Sequence, residues 1–516
     1  MTKSKKNILL FLIVALGFFL RILNIENAPP GVYPDEAVNG INALNALTYG
    51  DWRWFYDANN GREGLFMNMI AICFKLFGIS VLTLKLPSII FGTLTILGTY
   101  LLSKELYKKD RFALISAFLV ATAFWAINFS RISFRANMLP TVLVFSFYFL
   151  MRGVRTKKWW DFAVGGLIFG LGLHTYISFR ITPLILVVML ATLIITKERF
   201  LKEYWKLIFI FVIFTTITVA PMLYTFYVHP EYIQSRTGNV SVLNPEVNQG
   251  HLAKAFLKSL SLSVIKYTIW GDQNWRHNYP PYSLLDPITG IAFIFGFIYA
   301  VGRTFHLLVI RVTKKIRNER LEVYMLLLSW FFVMLIPEFM TAEGNPHALR
   351  AIGTLPPVFI LSTLAIEFFL RKADKRSFIF KKVTTSLIIT IIIVIGVFNI
   401  VKYHFVWAKK SETYRSFDKN VMEISNYIDT LPKDKEVIII VECMQRIPIQ
   451  VFHWEASNIF YYYPGEIDQI DPKNKNFEII MIDRNDEIIE NLKTKFPYLE
   501  FSEVKDERDL SYYLMK

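Results

Sequence analysis

Apolar residues run through this chain in long, nearly uncharged blocks, and the blocks predict its elements more strongly than any shorter periodicity does. Eleven of them, at residues 8–23, 84–102, 112–129, 138–151, 162–173, 181–195, 207–227, 288–310, 321–339, 352–370 and 383–401, read as helices that cross a membrane. Some are shorter than the roughly 20 residues of a perpendicular crossing, so their ends are expected to shift by a few positions. The run 65–77 stands apart, because it is short, follows Arg62 and Glu63 directly and carries Lys75. It suits a helix lying in the interface. The first block follows Lys3, Lys5 and Lys6 and so imitates a secretion signal, but no small-residue cleavage pattern precedes the next loop. A retained first helix with its N-terminus in the cytoplasm is the expectation.

The placement of charge tests that count. With eleven crossings, the loops 103–111, 152–158, 196–206, 303–320 and 371–382 face the cytoplasm and hold 24 Lys and Arg; the opposite loops 130–136, 174–180, 228–287 and 340–350 hold 9 over a greater length. Letting 65–77 cross would reverse every later loop, so the positive-inside rule supports eleven spans and an outer C-terminus. Composition agrees, with 53% hydrophobic and 16% aromatic residues. The net charge of +15 suggests nucleic acid in a soluble chain, but here the inner loops account for it. Two cysteines, Cys73 and Cys443, exclude a disulfide framework and a cysteine metal site.

The polar residues with chemical potential then gather on the outer side. They are Asp35 and Glu36 in "GVYPDEAVNG", Arg62 and Glu63 in "GREGLF", Arg131 and Arg135 in "FSRISFR", His174 and Tyr176 in "HTYISFR", Asp272, Arg276 and His277 in "WGDQNWRHNYP", and His347 and Arg350 in "EGNPHALR". Each has a plainer reading. The two acids follow Pro34 and open an amphipathic helix, where acids favour the dipole. The arginines read as snorkelling groups, and His174 and His347 as satisfied buried imidazoles. Independent structural roles, however, give no reason for all six segments to share one side. A single outer-face site accounts for them together.

The acidic pair, "GREGLF", "LKLPSIIFGTL", "LLSKELYKKDR" and "FSRISFRANMLP", taken in that order over most of the first 200 residues, resemble the membrane glycosyltransferases of family 39 and their aminoarabinose-transferase relatives, within the GT-C class. "GDQNWRHN" and "NPHALR" are similar to outer-loop patterns of bacterial and archaeal members. The resemblance implies a polytopic α-helical membrane protein, with about eleven transmembrane helices and interfacial helices in its outer loops. It further implies transfer of a sugar from a polyprenyl phosphate, not a nucleotide sugar, to a lipid, protein or cell-wall acceptor on the extracytoplasmic face. Arg62 falls where aminoarabinose transferases carry a lysine ahead of a Pro-Pro pair, and this chain departs from that pattern with Glu63 and Gly64. Asp35 stands where the family places its base.

Breaking a sugar–phosphate bond leaves a dianionic phosphate, which calls for arginine forks. Arg62, Arg131 and Arg135 are the candidates for binding it. The incoming hydroxyl must lose a proton, which calls for a carboxylate. Asp35 is the candidate base and Glu36 its orienting neighbour, while Glu63, His174, Tyr176, Asp272, Arg276, His277, His347 and Arg350 are candidates for substrate contacts. Direct attack by the acceptor inverts the anomeric centre. A divalent metal held by Asp35 and Glu36 with His174, His277 or His347 is the competing reading, but no HExxH-type spacing supports it. The arginine clamp is preferred, and no cofactor is expected.

The loop 228–287 contains "HLAKAFLKSLSLSVIKY", an amphipathic helix with lysines between its apolar positions, expected to serve as a lid or a cover. Residues 1–408 are expected to form the transmembrane domain and 409–516 a small extracytoplasmic α/β domain. In the latter, "EVIIIVE" and "FEIIMID" read as buried strands, and "FDKNVMEISNYIDTL" and "NDEIIENLKTKF" as helices. Two rival classes are a ligase or polymerase of lipid-linked glycans and a polyprenyl-lipid flippase or transporter. A transporter places ionisable groups near mid-membrane and shows pseudo-symmetric hydropathy, which this chain does not. Single cysteines introduced near Asn60, Ser178 and Asn345 should react with an impermeant reagent from outside, with Lys315 and Lys375 protected; labelling near Ser178 only from the cytoplasm would sink the eleven-span topology.

Overall fold

The computed structural model describes residues 2–57, 61–233, 241–341, 343–505 and 511–516. Asn60, residues 234–240 of the loop 228–287 and residues 506–510 of the C-terminal region lie outside the described residues. All eleven apolar blocks are helical. Among the described residues eight helices are long and apolar enough to cross a membrane, and nine if a pair bent by 59° counts as one span. That pair, Asp110–Thr122 and Phe124–Ser130, is broken at Ala123, whose ψ of 132° is extended. The remaining two blocks are Lys3–Ile22, which includes Lys5, Lys6 and Arg21, and Trp159–Leu171, only 13 residues long. Leu65–Phe77 is likewise 13 residues, about 20 Å of helix, too short for a hydrocarbon core of about 30 Å.

Contacts divide the chain into two compact units. The first comprises Met1–Leu23, Arg53–Phe66 and Ser88–Tyr403 and holds most of the long helices. Helix Pro287–Lys314 shows what organises it. Its buried face is Thr289, Gly290, Phe293, Gly296, Ala300, Thr304 and Leu307, mostly small residues at helical spacing. Its exposed face carries Ile288, Ile291, Ile298, Phe305 and Val312. Large apolar groups outside and small ones inside invert the pattern of a soluble helix and fit a helix solvated by lipid, whose partners approach through small residues. At Gly296 the approach is closest, since a Cβ there would meet the carbonyl oxygen of Leu361 in helix Leu355–Ala373.

The second unit comprises Asn24–Trp52, Met67–Pro87 and His404–Lys516. Its sheet is formed by β3 (Glu436–Ile440), β4 (Ile459–Tyr462), β5 (Phe477–Met481), β6 (Phe501–Lys505) and β7 (Ser511–Met515), in the order β4-β3-β5-β7-β6; β1 (Phe55–Tyr56) and β2 (Arg62–Glu63) form a separate hairpin in the first unit. β3 is parallel to β4 and β5, and β7 antiparallel to β5 and β6. Both sheet faces are covered. Val437, Ile439 and Ile480 pack with Val421, Ile424 and Ile449 of helices Lys419–Ile428 and Arg446–Phe452; Ile438, Ile440 and Ile479 pack with Ile488 and Leu492 of helix Asp486–Lys495. Double coverage explains why "VIII" (residues 437–440) and "IIMI" (residues 479–482) are unbroken apolar runs. Asn485 opens the last helix by accepting from the backbone N–H of Glu487 and Ile488, as a cap should.

Helix Pro34–Tyr49 belongs to this unit. Gly40 meets Val451, and Thr48 Oγ1 accepts from Trp454 Nε1 at 3.1 Å. The loop before the helix is fixed too, by Lys85 Nζ donating to the Gly31 carbonyl at 3.1 Å and by the Tyr33 ring edge-on to Phe417 at 5.7 Å.

The Gly296 contact yields a test with an internal control. Gly296→Leu should lower the thermal midpoint of the detergent-purified protein by several degrees, whereas Gly302→Leu, on the same helix with no atom within 4 Å of its Cβ position, should leave the midpoint near wild type. Equal midpoints would show that this crossing does not limit stability.

Candidate active site

Within the first unit, the β1–β2 hairpin carries two of the candidates. Phe55 pairs with Glu63 and Tyr56 with Arg62. Gly61, at φ +89°, turns the chain where a side chain would be strained, and Gly64 lies so close to the Arg53 carbonyl that no Cβ fits. Arg62 and Glu63 are both buried. Arg135 reaches them from the 3-10 turn Arg135–Asn137, donating from Nε to Glu63 Oε2 at 2.7 Å and from Nη2 to the Gly61 carbonyl at 3.4 Å. Its guanidinium also lies 5.7 Å from the Tyr176 ring centroid. Glu63, Arg135 and Tyr176, chosen from three different segments, therefore form one group.

Tyr176 is also the edge of a cavity of about 250 Å³, lined further by Ser178, Arg180, Thr341 and Arg350. Arg180 is held by the Ile233 carbonyl at 3.0 Å and sits over the Phe226 ring at 5.0 Å. Arg350 donates to the carbonyl of Glu343 and lies 3.9 Å from its carboxylate. Two guanidinium groups at a cavity with aromatic and hydroxyl walls suit an anionic ligand that carries hydroxyls. Arg180 and Ser178 were not among the sequence candidates, although "HTYISFR" contains both.

Arg131 is used differently. It is fully buried and donates to the carbonyls of Leu20 and Leu23 at 2.7 and 2.6 Å, with the Tyr403 ring 5.6 Å away. These carbonyls end the first helix and have no partner within it, so a cation there answers both the hydrogen bonds and the dipole. His174 donates from Nε2 to the Thr218 carbonyl at 2.7 Å and contacts Trp54 edge-on, while its Nδ1 is buried without a hydrogen-bond partner among the described residues, so the imidazole is only half satisfied.

The loops after helices Leu252–Ile265 and Arg320–Phe339 bring three more candidates together. Asp272 accepts from the backbone N–H of Asn274 at 2.8 Å and of Ala348 at 2.7 Å, and from His277 Nδ1 at 3.0 Å; the His347 ring lies 4.7 Å from that of His277. Arg276 turns instead onto Asn274, and its carbonyl accepts from Asn128 Nδ2 at 2.8 Å. Beneath them Lys266 donates to Glu338 at 2.5 Å, both fully buried, and Glu338 accepts from the backbone N–H of His347 at 3.0 Å. Burial lowers the Lys266 pKa while Glu338 opposes the shift. Neither residue was a sequence candidate. Helix Leu252–Ile265 itself buries Ser259 and Ser263 and exposes Leu252, Leu257 and Val264.

Asp35 and Glu36 lie in the second unit, in the first turn of helix Pro34–Tyr49, with Pro34 at the first helical position. The N-cap, Tyr33, supplies no side-chain bond, and the Glu36 backbone N–H returns to the Tyr33 carbonyl at 3.0 Å. Glu36 is fully buried and Asp35 half-buried. The dipole favours both acids there, and Asp35 is the more accessible of the two.

Residues 65–224 match the family described as dolichyl-phosphate-mannose-protein mannosyltransferase. No curated protein matches the chain. Among solved structures, ArnT from Cupriavidus metallidurans bound to undecaprenyl phosphate is similar at a TM-score of 0.52 and 12% identity, over 100% of this chain and 98% of that one. Its apo state gives 0.53 and 12%, over 98% and 97%. The archaeal oligosaccharyltransferase AglB from Archaeoglobus fulgidus, in complex with an inhibitory peptide and a dolichol-phosphate, gives 0.51 and 13%, over 93% of this chain and 69% of that one. At these identities the structures speak for the fold. Residues 65–224 are thus similar to a protein-mannosyltransferase family, and nearly the whole chain shares the multi-helical membrane fold of ArnT and AglB.

Proposed function

We propose that the chain transfers a sugar from a polyprenyl-phosphate donor to an acceptor on the extracytoplasmic face, by direct displacement with inversion. The observation that carries this reading is the cavity edged by Tyr176 and lined by Arg180 and Arg350, with the Arg135–Glu63 pair against the same tyrosine. As the sugar–phosphate bond breaks, negative charge grows on the phosphate, and guanidinium groups already fixed in place stabilise it without reorganising. Arg180, Arg350, Arg135 and Arg62 are assigned to the donor phosphate. Arg131 is assigned to holding the end of the first helix. The family match and the bound undecaprenyl phosphate and dolichol-phosphate of the similar structures support the class of donor. Asp35 takes the proton of the attacking hydroxyl, and Glu36, buried beside it, orients it. The orientation that goes with this reading has the N-terminus in the cytoplasm and residues 409–516 outside.

Purified protein given a radiolabelled polyprenyl-phosphate monosaccharide should release polyprenyl phosphate. A protein that only moves the intact lipid across vesicles is a flippase and overturns the proposal. Asp35→Asn preserves shape and should lower turnover by roughly 100-fold or more with an unchanged thermal midpoint; a fully active variant removes Asp35 from the chemistry.

Arg180→Ala and Arg350→Ala remove charge-assisted contacts of about 1.5–3 kcal/mol, so each should lower kcat/KM for the donor by roughly 10- to 150-fold while the acceptor KM stays within about twofold. Loss confined to the acceptor KM would move the cavity from the donor to the acceptor.

A further inference from the structure

One group of side chains in the first unit is arranged for something that the proposed sugar transfer does not require. Asp272 and His277 come from one outer loop and His347 from another, and their candidate ligand atoms all lie within 4.8 Å of one another. Both imidazoles direct Nδ1 to the same oxygen, His277 at 3.0 Å and His347 at 4.0 Å from Asp272 Oδ2. A carboxylate that orients one histidine by a hydrogen bond is common. A second imidazole at 4.0 Å is too far to hydrogen-bond to that oxygen. Ligand atoms each about 2.0–2.1 Å from one tetrahedral cation lie about 3.4 Å apart, so separations of 3.0 and 4.0 Å fall either side of that spacing and small side-chain rotations bring both to it.

The donors and their supports narrow the class of ion. Two imidazole nitrogens and one carboxylate oxygen suit zinc, whereas calcium and magnesium take oxygen ligands. The surrounding bonds are those that fix ligands in place. Asp272 is oriented by the backbone N–H of Asn274 and Ala348, and the His347 backbone is held by Glu338, itself tied to buried Lys266. The His277 ring is packed against Phe129 at 5.6 Å. The His347 side chain is 17% exposed while its Nδ1 is buried, so an edge of the ring meets solvent and the ligand atoms face one another, with a fourth position left to a water. We propose that Asp272, His277 and His347 bind a divalent cation of the zinc class, which ties the loop carrying Asp272 and His277 to the loop carrying His347.

Full-length protein in detergent, stripped with a chelator, is titrated with Co²⁺ as a spectroscopic probe and then with Zn²⁺. One equivalent of cobalt should bind with the visible absorption of a four-coordinate site, zinc should displace it, and zinc should raise the thermal midpoint of the stripped protein. His347→Gln and His277→Gln should each abolish the absorption and the zinc-dependent rise. Because His347 is partly exposed, its variant should unfold at the midpoint of the stripped wild type, which separates loss of ligand from loss of fold. Wild type without cobalt absorption, or His347→Gln with undiminished absorption or the same zinc-dependent rise, overturns the site. Polyprenyl-phosphate release is not read in any arm, so failure here leaves the proposed transfer standing, and the reverse also holds.

Discussion

Hydrocarbon offers no hydrogen bonds, and most of the first unit follows from that constraint. Backbone groups must bond within their own helices, and polar side chains that enter the bundle do the same. Ser116, Thr122, Thr304, Ser362 and Thr363 each donate to the carbonyl four residues earlier. With burial from water no longer the force that joins helices, close packing takes over. The stripe of small residues on helix Pro287–Lys314 is the local form of that solution.

Charges buried near the ends of the helices obey the same rule at higher stakes. A lone buried charge costs several kcal/mol, and removing one partner of a buried pair exposes that cost. Glu63 with Arg135, and Lys266 with Glu338, are each paired, and Arg131 is turned onto two carbonyls. Such groups are held in one geometry, which is what the proposed transfer would need from the parts that receive charge. The same rigidity separates the arginines by role: Arg131 closes a helix, whereas Arg180 and Arg350 face a cavity.

How much of this could be read from sequence depended on distance along the chain. The apolar blocks were legible because each is long and uniform. The break at Ala123 was not, since neither glycine nor proline marks it. In the C-terminal region β3 and β5 were legible because both of their faces are covered, while the edge strand β6, "FSEVK", mixes charged with apolar residues and the edge strand β4, "IFYY", is a short aromatic run with half-exposed residues. The site segments were visible as segments, but their pairings were not: Glu63 and Arg135 are 72 residues apart, and Asp272 and the Ala348 amide 76. A usable signal was missed at Glu338, a carboxylate that follows the long uncharged stretch 323–337 of its helix, where an ionisable residue points to a partner.

The anchoring of helix Pro34–Tyr49 also bears on biogenesis. Thr48 and its partner Trp454 are 406 residues apart, so the helix bearing Asp35 is made long before the surface that holds it. At about 5–20 residues per second, the interval is roughly 20–80 s. During that time the early membrane helices can insert while the first loop lacks its support. The docking of this loop is therefore a late event in maturation, and a nascent chain that stalls before the last hundred or so residues would carry every membrane helix and still leave the Asp35 helix without the Gly40–Val451 and Thr48–Trp454 contacts.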